Sequence, residues 1–198
     1  MEMQDFAPDF EAVLDRIRAY RPQSQVDDGV PWAAVSLCLH PTAGRDFEIL
    51  FIQRAIRDGD PWSGQMAFPG GRRDPGESLV RTAIRETWEE VGLALADPVG
   101  ALDDLDGRHS RRPRSIVVRP FLFSVAEKEA LRLNYEVQTA VWIPLRWILD
   151  PQAQTHYELR WASGVVRLPA FQYQQFVIWG LTYKILGRFL RLLDLDFP

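Results

Sequence analysis

Gly71-Arg72-Arg73-Asp74-Pro75-Gly76-Glu77-Ser78-Leu79-Val80-Arg81-Thr82-Ala83-Ile84-Arg85-Glu86-Thr87-Trp88-Glu89-Glu90-Val91-Gly92-Leu93 is the stretch on which the reading of this chain turns. At about 100° per residue, Leu79, Val80, Ala83, Ile84, Thr87, Trp88 and Val91 fill one half of a helix. That helix runs from Leu79 to Val91, and Gly92 ends it. Glu86, Glu89 and Glu90 lie on its other side, within an arc of about 100°. Glu86 and Glu90 are four residues apart, so their side chains meet. A like-charge pair at that spacing costs a few tenths of a kcal/mol even in water, so positive charge should sit among these three acids. Arg85 is adjacent, but one cation does not balance three anions. A hard divalent ion does. Mg²⁺ or Mn²⁺ takes oxygen ligands and keeps positions open for water and phosphate oxygens. Gly70 and Gly71 precede the helix, and a backbone without side chains can come close to a metal or a phosphate. Read alone, the glutamates suit a solvated acidic face equally well. The spacing of the whole segment tips the balance.

The segment resembles the Nudix box. That pattern runs Gly, five residues, Glu, seven residues, Arg-Glu, an aliphatic, any residue, Glu-Glu, any residue, Gly, an aliphatic. Gly71, Glu77, Arg85, Glu86, Glu89, Glu90, Gly92 and Leu93 all fall on register. Thr87 departs from it, standing where the family has Ile, Leu or Val. Thr is close to Val in volume, so a packing cost is expected there and no loss of chemistry. The resemblance implies one domain over residues 1–198, an α/β (α+β) Nudix α/β/α sandwich with a mixed sheet and a loop–helix–loop box. An N-terminal and a C-terminal helix complete it. The resemblance also implies metal-assisted attack of water on phosphorus, with Mg²⁺ or Mn²⁺ as cofactor. Glu86 and Glu90 are then metal ligands, joined by a carbonyl of Gly70 or Gly71. Glu89 either joins them or acts as the base. Glu77 and Arg85 pair and hold the loop against the helix.

Upstream, Ile49 to Ala55 and Gly64-Gln65-Met66-Ala67-Phe68-Pro69-Gly70-Gly71 are similar to the extra signature of the coenzyme A pyrophosphatase branch. Arg54-Ala55 matches its strand-closing Arg, and Gly64 matches its Gly. Asp60 replaces a basic residue, and the gap holding Pro61-Trp62 is one residue longer. The Ile178-Trp179-Gly180-Leu181-Thr182 segment is similar to that branch as well, although packing alone explains a Trp. The implied substrate is coenzyme A or a derivative, cut to 3′,5′-ADP and 4′-phosphopantetheine. Coenzyme A carries a 3′-phosphate besides its diphosphate, so its site needs cations. Arg54, Arg57, Arg72, Arg73, Arg111, Arg112 and Arg114 supply forked guanidinium groups near the box. Taken singly, each also reads as a solvated arginine, Arg54 as one at a strand end. The box itself leaves ADP-ribose, dinucleotide polyphosphates and NADH open, though nothing after it resembles the array of the NADH branch. Nudix-like domains that only sense nucleotides are a further class, usually with eroded box glutamates. Here all three are in place.

Outward from the box, Phe10 to Tyr20 has helical spacing, with Phe10, Val13, Leu14 and Ile17 on one face. Strands are expected at Trp32–His40, Phe47–Gln53, Gln65–Phe68, Val99–Leu105, Ile116–Val125 and Val141–Leu145, with a helical turn near Trp147. Tyr157–Trp161 and Val165–Leu168 suggest a hairpin around Ser163-Gly164. Trp179 to Leu193 is expected to close the chain as an amphipathic helix, and Asp106 to Arg114 to be a loop. Glu136 is placed at the surface. It is also a position from which Nudix chains can set a further acid opposite the box helix.

The 198 residues suffice for one domain with a proper core. The net charge of −4 argues against a dedicated nucleic-acid binder. Cys38 is the only cysteine and sits in an apolar run, so it reads as core and no internal disulfide forms. His40, His109 and His156 show no metal-ligand spacing. No apolar stretch approaches a membrane span of roughly 20 residues, and the acidic N-terminus shows no secretory signal. The expected location is cytoplasmic and the expected partner a small nucleotide. Strand edges and surface tryptophans could support a homodimer.

Overall fold

The computed structural model describes residues 9–25, 29–43, 46–58, 62–107, 116–161 and 164–196. In chain order it begins with α1 (Phe10–Ala19), β1 (Trp32–Pro41), β2 (Phe47–Arg54), β3 (Met66–Ala67) and β4 (Gly70–Arg72). Then come α2 (Leu79–Val91), β5 (Gly100–Ala101), β6 (Leu105–Asp106), β7 (Val117–Ser124) and β8 (Val137–Pro144). The remainder is α3 (Leu145–Ile148), a 3₁₀ turn (Pro151–Ala153), β9 (Gln154–Trp161), β10 (Gly164–Tyr173), β11 (Phe176–Trp179) and α4 (Gly180–Leu192).

β1 is the hub of the main sheet. It pairs parallel with β7 and antiparallel with β2 and β4. β2 in turn pairs with β3 and β8, and β7 with β5 and β6. A strand at such a centre is covered on both faces, which is why Trp32 to Leu39 reads as an apolar run rather than an alternation. Leu37 and Leu39 point to the larger core, where Val13, Leu14 and Ile17 of α1 meet Leu186, Phe189 and Leu190 of α4. Ala34 points the other way and packs with Ala83 of α2, Phe121 and Phe123. Helices thus cover both sides of a mixed sheet, the expected sandwich. β9, β10 and β11 form a separate antiparallel sheet, with β11 against β3.

Several elements differ from the sequence expectation. The strand expected over Val99–Leu105 is two short pieces. Between them, the Asp103 carboxylate accepts from Tyr20 O–H and Gln23 N–H, each at 2.8 Å. Asp104 takes Gln25 N–H and a forked pair of 2.7 Å bonds from Arg119. These side chains tie the segment to the N-terminal arm and interrupt its ladder. The strand expected at Val141 starts four residues earlier, and Leu145 already belongs to α3. Trp179 ends β11 instead of opening the last helix, which starts at Gly180 with φ 66°. β11 escaped the reading because its hairpin turns at Gln174-Gln175, with Gln174 at φ 52°. No Gly, Asn or Asp marks that turn. Cys38 is fully buried, as expected, and burial pushes its thiol up. His40 sits near the end of β1 with Nδ1 2.9 Å from the Val125 carbonyl, and His156 lies on β9. His109, Asp60 and Pro61, and the arginines at 111, 112 and 114, lie outside the described residues. No described helix is long and apolar enough to cross a membrane.

Candidate active site

α2 begins at Ser78, whose hydroxyl accepts from Arg81 N–H at 3.3 Å. It ends at Gly92, which takes the left-handed conformation at φ 69°. β4 lies beside it, and here the paired glycines have separate steric reasons. At Gly70, φ is 148°, and a Cβ would overlap the Ala34 carbonyl and the Val35 backbone. At Gly71 a Cβ would overlap the Glu86 carboxylate. The strand backbone and the helix carboxylates therefore approach within one missing side chain of each other.

Arg85 organises the exposed part of the cluster. Its Nε donates to Glu77 Oε1 and its NH2 to Glu77 Oε2, both at 3.0 Å. NH1 donates to Glu86 Oε1 at 2.9 Å and Glu89 Oε2 at 3.2 Å. Thr82 Oγ1 adds a 2.8 Å bond to Glu77. The Arg85 fork holds the Glu77 carboxyl down at about 2, with Thr82 and the Asp74 N–H helping against the opposing effect of burial. Glu77 reciprocates by raising the Arg85 pKa. The expected pairing of Glu77 with Arg85 is thus present, and it is bidentate.

Glu90 does not lie on a solvated acidic face, the alternative that the glutamates taken alone left open. It is 2 % exposed. Its Oε2 accepts from Gly70 N–H at 2.8 Å. Its backbone is tied to the following loop, Arg132 N–H bonding the Val91 carbonyl and Asn134 N–H that of Glu90. Burial pushes its carboxyl up to about 8, with the Gly70 bond and Arg54 pulling down and Glu86 and Glu136 pushing up. Glu86 is raised too, first by burial, with Arg85 opposing and Glu89 and Glu136 adding. Trp88 corrects the helical wheel in the opposite sense. Assigned to the apolar half, it is 49 % exposed, beneath the Arg132 guanidinium at 5.5 Å.

Thr87 is fully buried. Its Oγ1 lies 2.8 Å from both Ser36 Oγ and the Ala83 carbonyl. The hydroxyl that breaks the box pattern is matched by a serine on β1, so the expected packing cost is offset by hydrogen bonds.

The structure also brings in residues from outside the box. Arg54 closes β2, and its charge bears on Glu90. Glu136, favoured as a surface residue, keeps 34% of its side chain exposed, and its charge also raises Glu86 and Glu90. Arg57 NH1 bonds it at 3.0 Å, and Ala55 N–H bonds its carbonyl at 2.7 Å. Arg57 also lies over the Tyr135 ring at 4.6 Å. The register that sets Arg54 opposite Val137 positions this acid, and no local pattern announces that register. A cavity of about 430 Å³ is lined by Trp32, Arg72, Arg73 and Glu77 among others. It borders the box loop at Glu77, not Glu86, Glu89 or Glu90.

The donor chemistry of this corner fits a hard divalent ion: three carboxylates beside the Gly70-Gly71 backbone, with proton affinity raised at Glu86 and Glu90 first by burial and then by their acidic neighbours. Among the described residues, no group of three or more His, Cys, Asp or Glu side chains stands arranged to hold a metal ion. Glu90 is engaged with Gly70, and Glu86 and Glu89 with Arg85.

A model of the NUDIX domain matches residues 30–160, and the chain belongs to that family. Among its relatives, an uncharacterized protein of Schizosaccharomyces pombe is 41% identical over 119 residues, 56% of this chain and 36% of that one. A human mitochondrial coenzyme A diphosphatase is 35% identical over 153 residues, 73% of this chain and 62% of its own. The chain therefore spans less than two thirds of the length of either. A MutT/nudix family protein from Enterococcus faecalis superposes with TM-score 0.54 at 20% identity, over 97% of this chain and 72% of that one. That likeness concerns the fold.

Proposed function

We propose that the chain is a Mg²⁺- or Mn²⁺-dependent pyrophosphohydrolase that cuts the diphosphate of coenzyme A or a derivative to 3′,5′-ADP and 4′-phosphopantetheine. The observation that carries the hydrolase reading is the carboxylate corner: Glu86 and Glu90 against the Gly70-Gly71 backbone, with Glu77 and Arg85 locking loop to helix. Glu86, Glu89 and Glu90, with a carbonyl of Gly70 or Gly71, would hold the ion. When bound, such an ion polarises phosphoryl oxygens and lowers the pKa of water. Arg85 fixes the direction of Glu86 and limits the spread of Glu89. Glu89 is the base candidate, since it is the most exposed of the three, at 51% of its side chain. Its neighbours leave it open to a water molecule. Arg54, whose charge bears on Glu90, would meet substrate phosphate there. The coenzyme A part of the reading rests on the Arg54 to Gly71 signature and on relatives that carry that activity in their names.

The test is incubation of the purified protein with coenzyme A and Mg²⁺ or Mn²⁺, with products identified by mass. Appearance of 3′,5′-ADP and 4′-phosphopantetheine, abolished by a chelator, is the expected result. Cleavage of ADP-ribose, a dinucleotide polyphosphate or NADH, with coenzyme A untouched, would keep the carboxylate corner and discard the substrate. Nucleotide binding without turnover of any of them would point to a sensing module.

A further inference from the structure

We propose that the outer edge of β9 pairs with the same edge of a second copy of this chain, giving a two-fold dimer centred on Leu159. β9 is the last strand of its sheet, bonded to β10 on one side, and among the described residues no strand covers its other side. Edge strands offer a row of unpaired N–H and C=O groups to any chain of suitable pattern. A two-stranded ribbon is marginal in water without further cover. The ribbon also has an apolar side. Leu159 stands opposite Val166, and Tyr157 opposite Leu168. Val166 is 46 % exposed. Tyr157 is stacked on Trp179 at 3.9 Å, which fixes the inner end of this strip.

The choice of occupant comes from the order of residues along the edge. Tyr157-Glu158-Leu159-Arg160-Trp161 is symmetric in chemical type about Leu159, with opposite charges at mirrored positions. Antiparallel pairing about Leu159 sets Glu158 of each copy against Arg160 of the other, and Leu159 against Leu159. A two-fold axis makes both contacts at once. Cross-strand pairs of opposite charge stabilise a sheet, and like charges directly opposite destabilise it. Centring the pairing on Glu158 or on Arg160 puts like charges face to face. Centring it on Tyr157 separates Glu158 from Arg160 altogether. One register is therefore selected by charge. Glu158 already accepts from Arg167 across the hairpin, at 3.1 Å. In the pair it would stand between two arginines, a charged row running across three strands and ending on Val165 of the other copy. An unrelated partner would need to reproduce this pattern, whereas a second copy carries it by construction.

The test is sedimentation of the full chain, which is expected to be dimeric at about 100 μM and to dissociate on dilution, since the contact is small. Arg160→Glu is the decisive single variant. In the hairpin Arg160 faces Val165, so the change leaves the monomer fold alone and places acid against acid only between copies. It is expected to be monomeric with an unchanged circular dichroism spectrum. Glu158→Arg is expected to be monomeric as well. Mixing the two variants should regenerate a dimer, because each then faces its opposite charge. A monomeric wild-type chain at the highest concentration, or an Arg160→Glu chain as dimeric as wild type, overturns the proposal. None of these outcomes bears on nucleotide hydrolysis, because no substituted residue touches the carboxylate corner.

Discussion

Glu77→Gln removes one charge from the box and keeps its shape, which makes the Arg85 lock measurable. The Glu77 carboxyl is held at about 2 against an ordinary 4.5, chiefly by the Arg85 fork. A displacement of that size corresponds to about 3 kcal/mol of folding stability. The side chains of Glu77 and Arg85 are 17% and 28% exposed, so solvent screening removes part of this, leaving about 2–3 kcal/mol. The sign follows from linkage. A depressed carboxyl stabilises the fold fully above its unfolded value and loses that contribution as the pH falls toward the folded value. The difference between wild type and Glu77→Gln should therefore be complete above about pH 5. About three quarters of it should remain at pH 4, and less than half at pH 3. The assay is urea unfolding of both chains at each pH, with free energies extrapolated to water. A difference below about 0.5 kcal/mol at pH 7, or one that does not shrink in acid, would refute the reasoning.

Four further outcomes follow from the same geometry. Glu86→Gln should lower metal-dependent turnover about 100-fold or more, with a melting temperature close to wild type, checked by product analysis and calorimetry. Gly71→Ala should cost turnover about 100-fold, because its Cβ would displace the Glu86 carboxylate; equal activity would show that Glu86 has room to move. Saturating Mg²⁺ should raise the melting temperature by roughly 5–10 °C, and a chelator should reverse this. Thr87→Val and Ser36→Ala should each cost less than about 1 kcal/mol in chemical denaturation, since either hydroxyl keeps the Ala83 carbonyl as a partner.

The box was legible because its chemistry is local. Glu86, Glu89 and Glu90 share a helix of period 3.6, and Glu77 reaches Arg85 over a short loop. Their spacing in the chain is thus nearly their spacing in space. The apolar run of β1, the α1 face at Val13, Leu14 and Ile17, and the αL stop at Gly92 were legible for the same reason. Tertiary structure decided what depends on neighbours from elsewhere. Glu90 and Trp88 depart from the helical wheel through neighbours distant in sequence, the Gly70 N–H holding the buried Glu90 carboxylate and Arg132 lying over the half-exposed Trp88 ring. Thr87 is tolerated because β1 carries a serine at position 36. The charge of Glu136 bears on Glu86 and Glu90 because β8 pairs with β2 in a register set by many side chains at once. Periodicity and steric rules act along the chain and can be read from it. Burial and charge pairing between distant segments exist only once the sheet has formed.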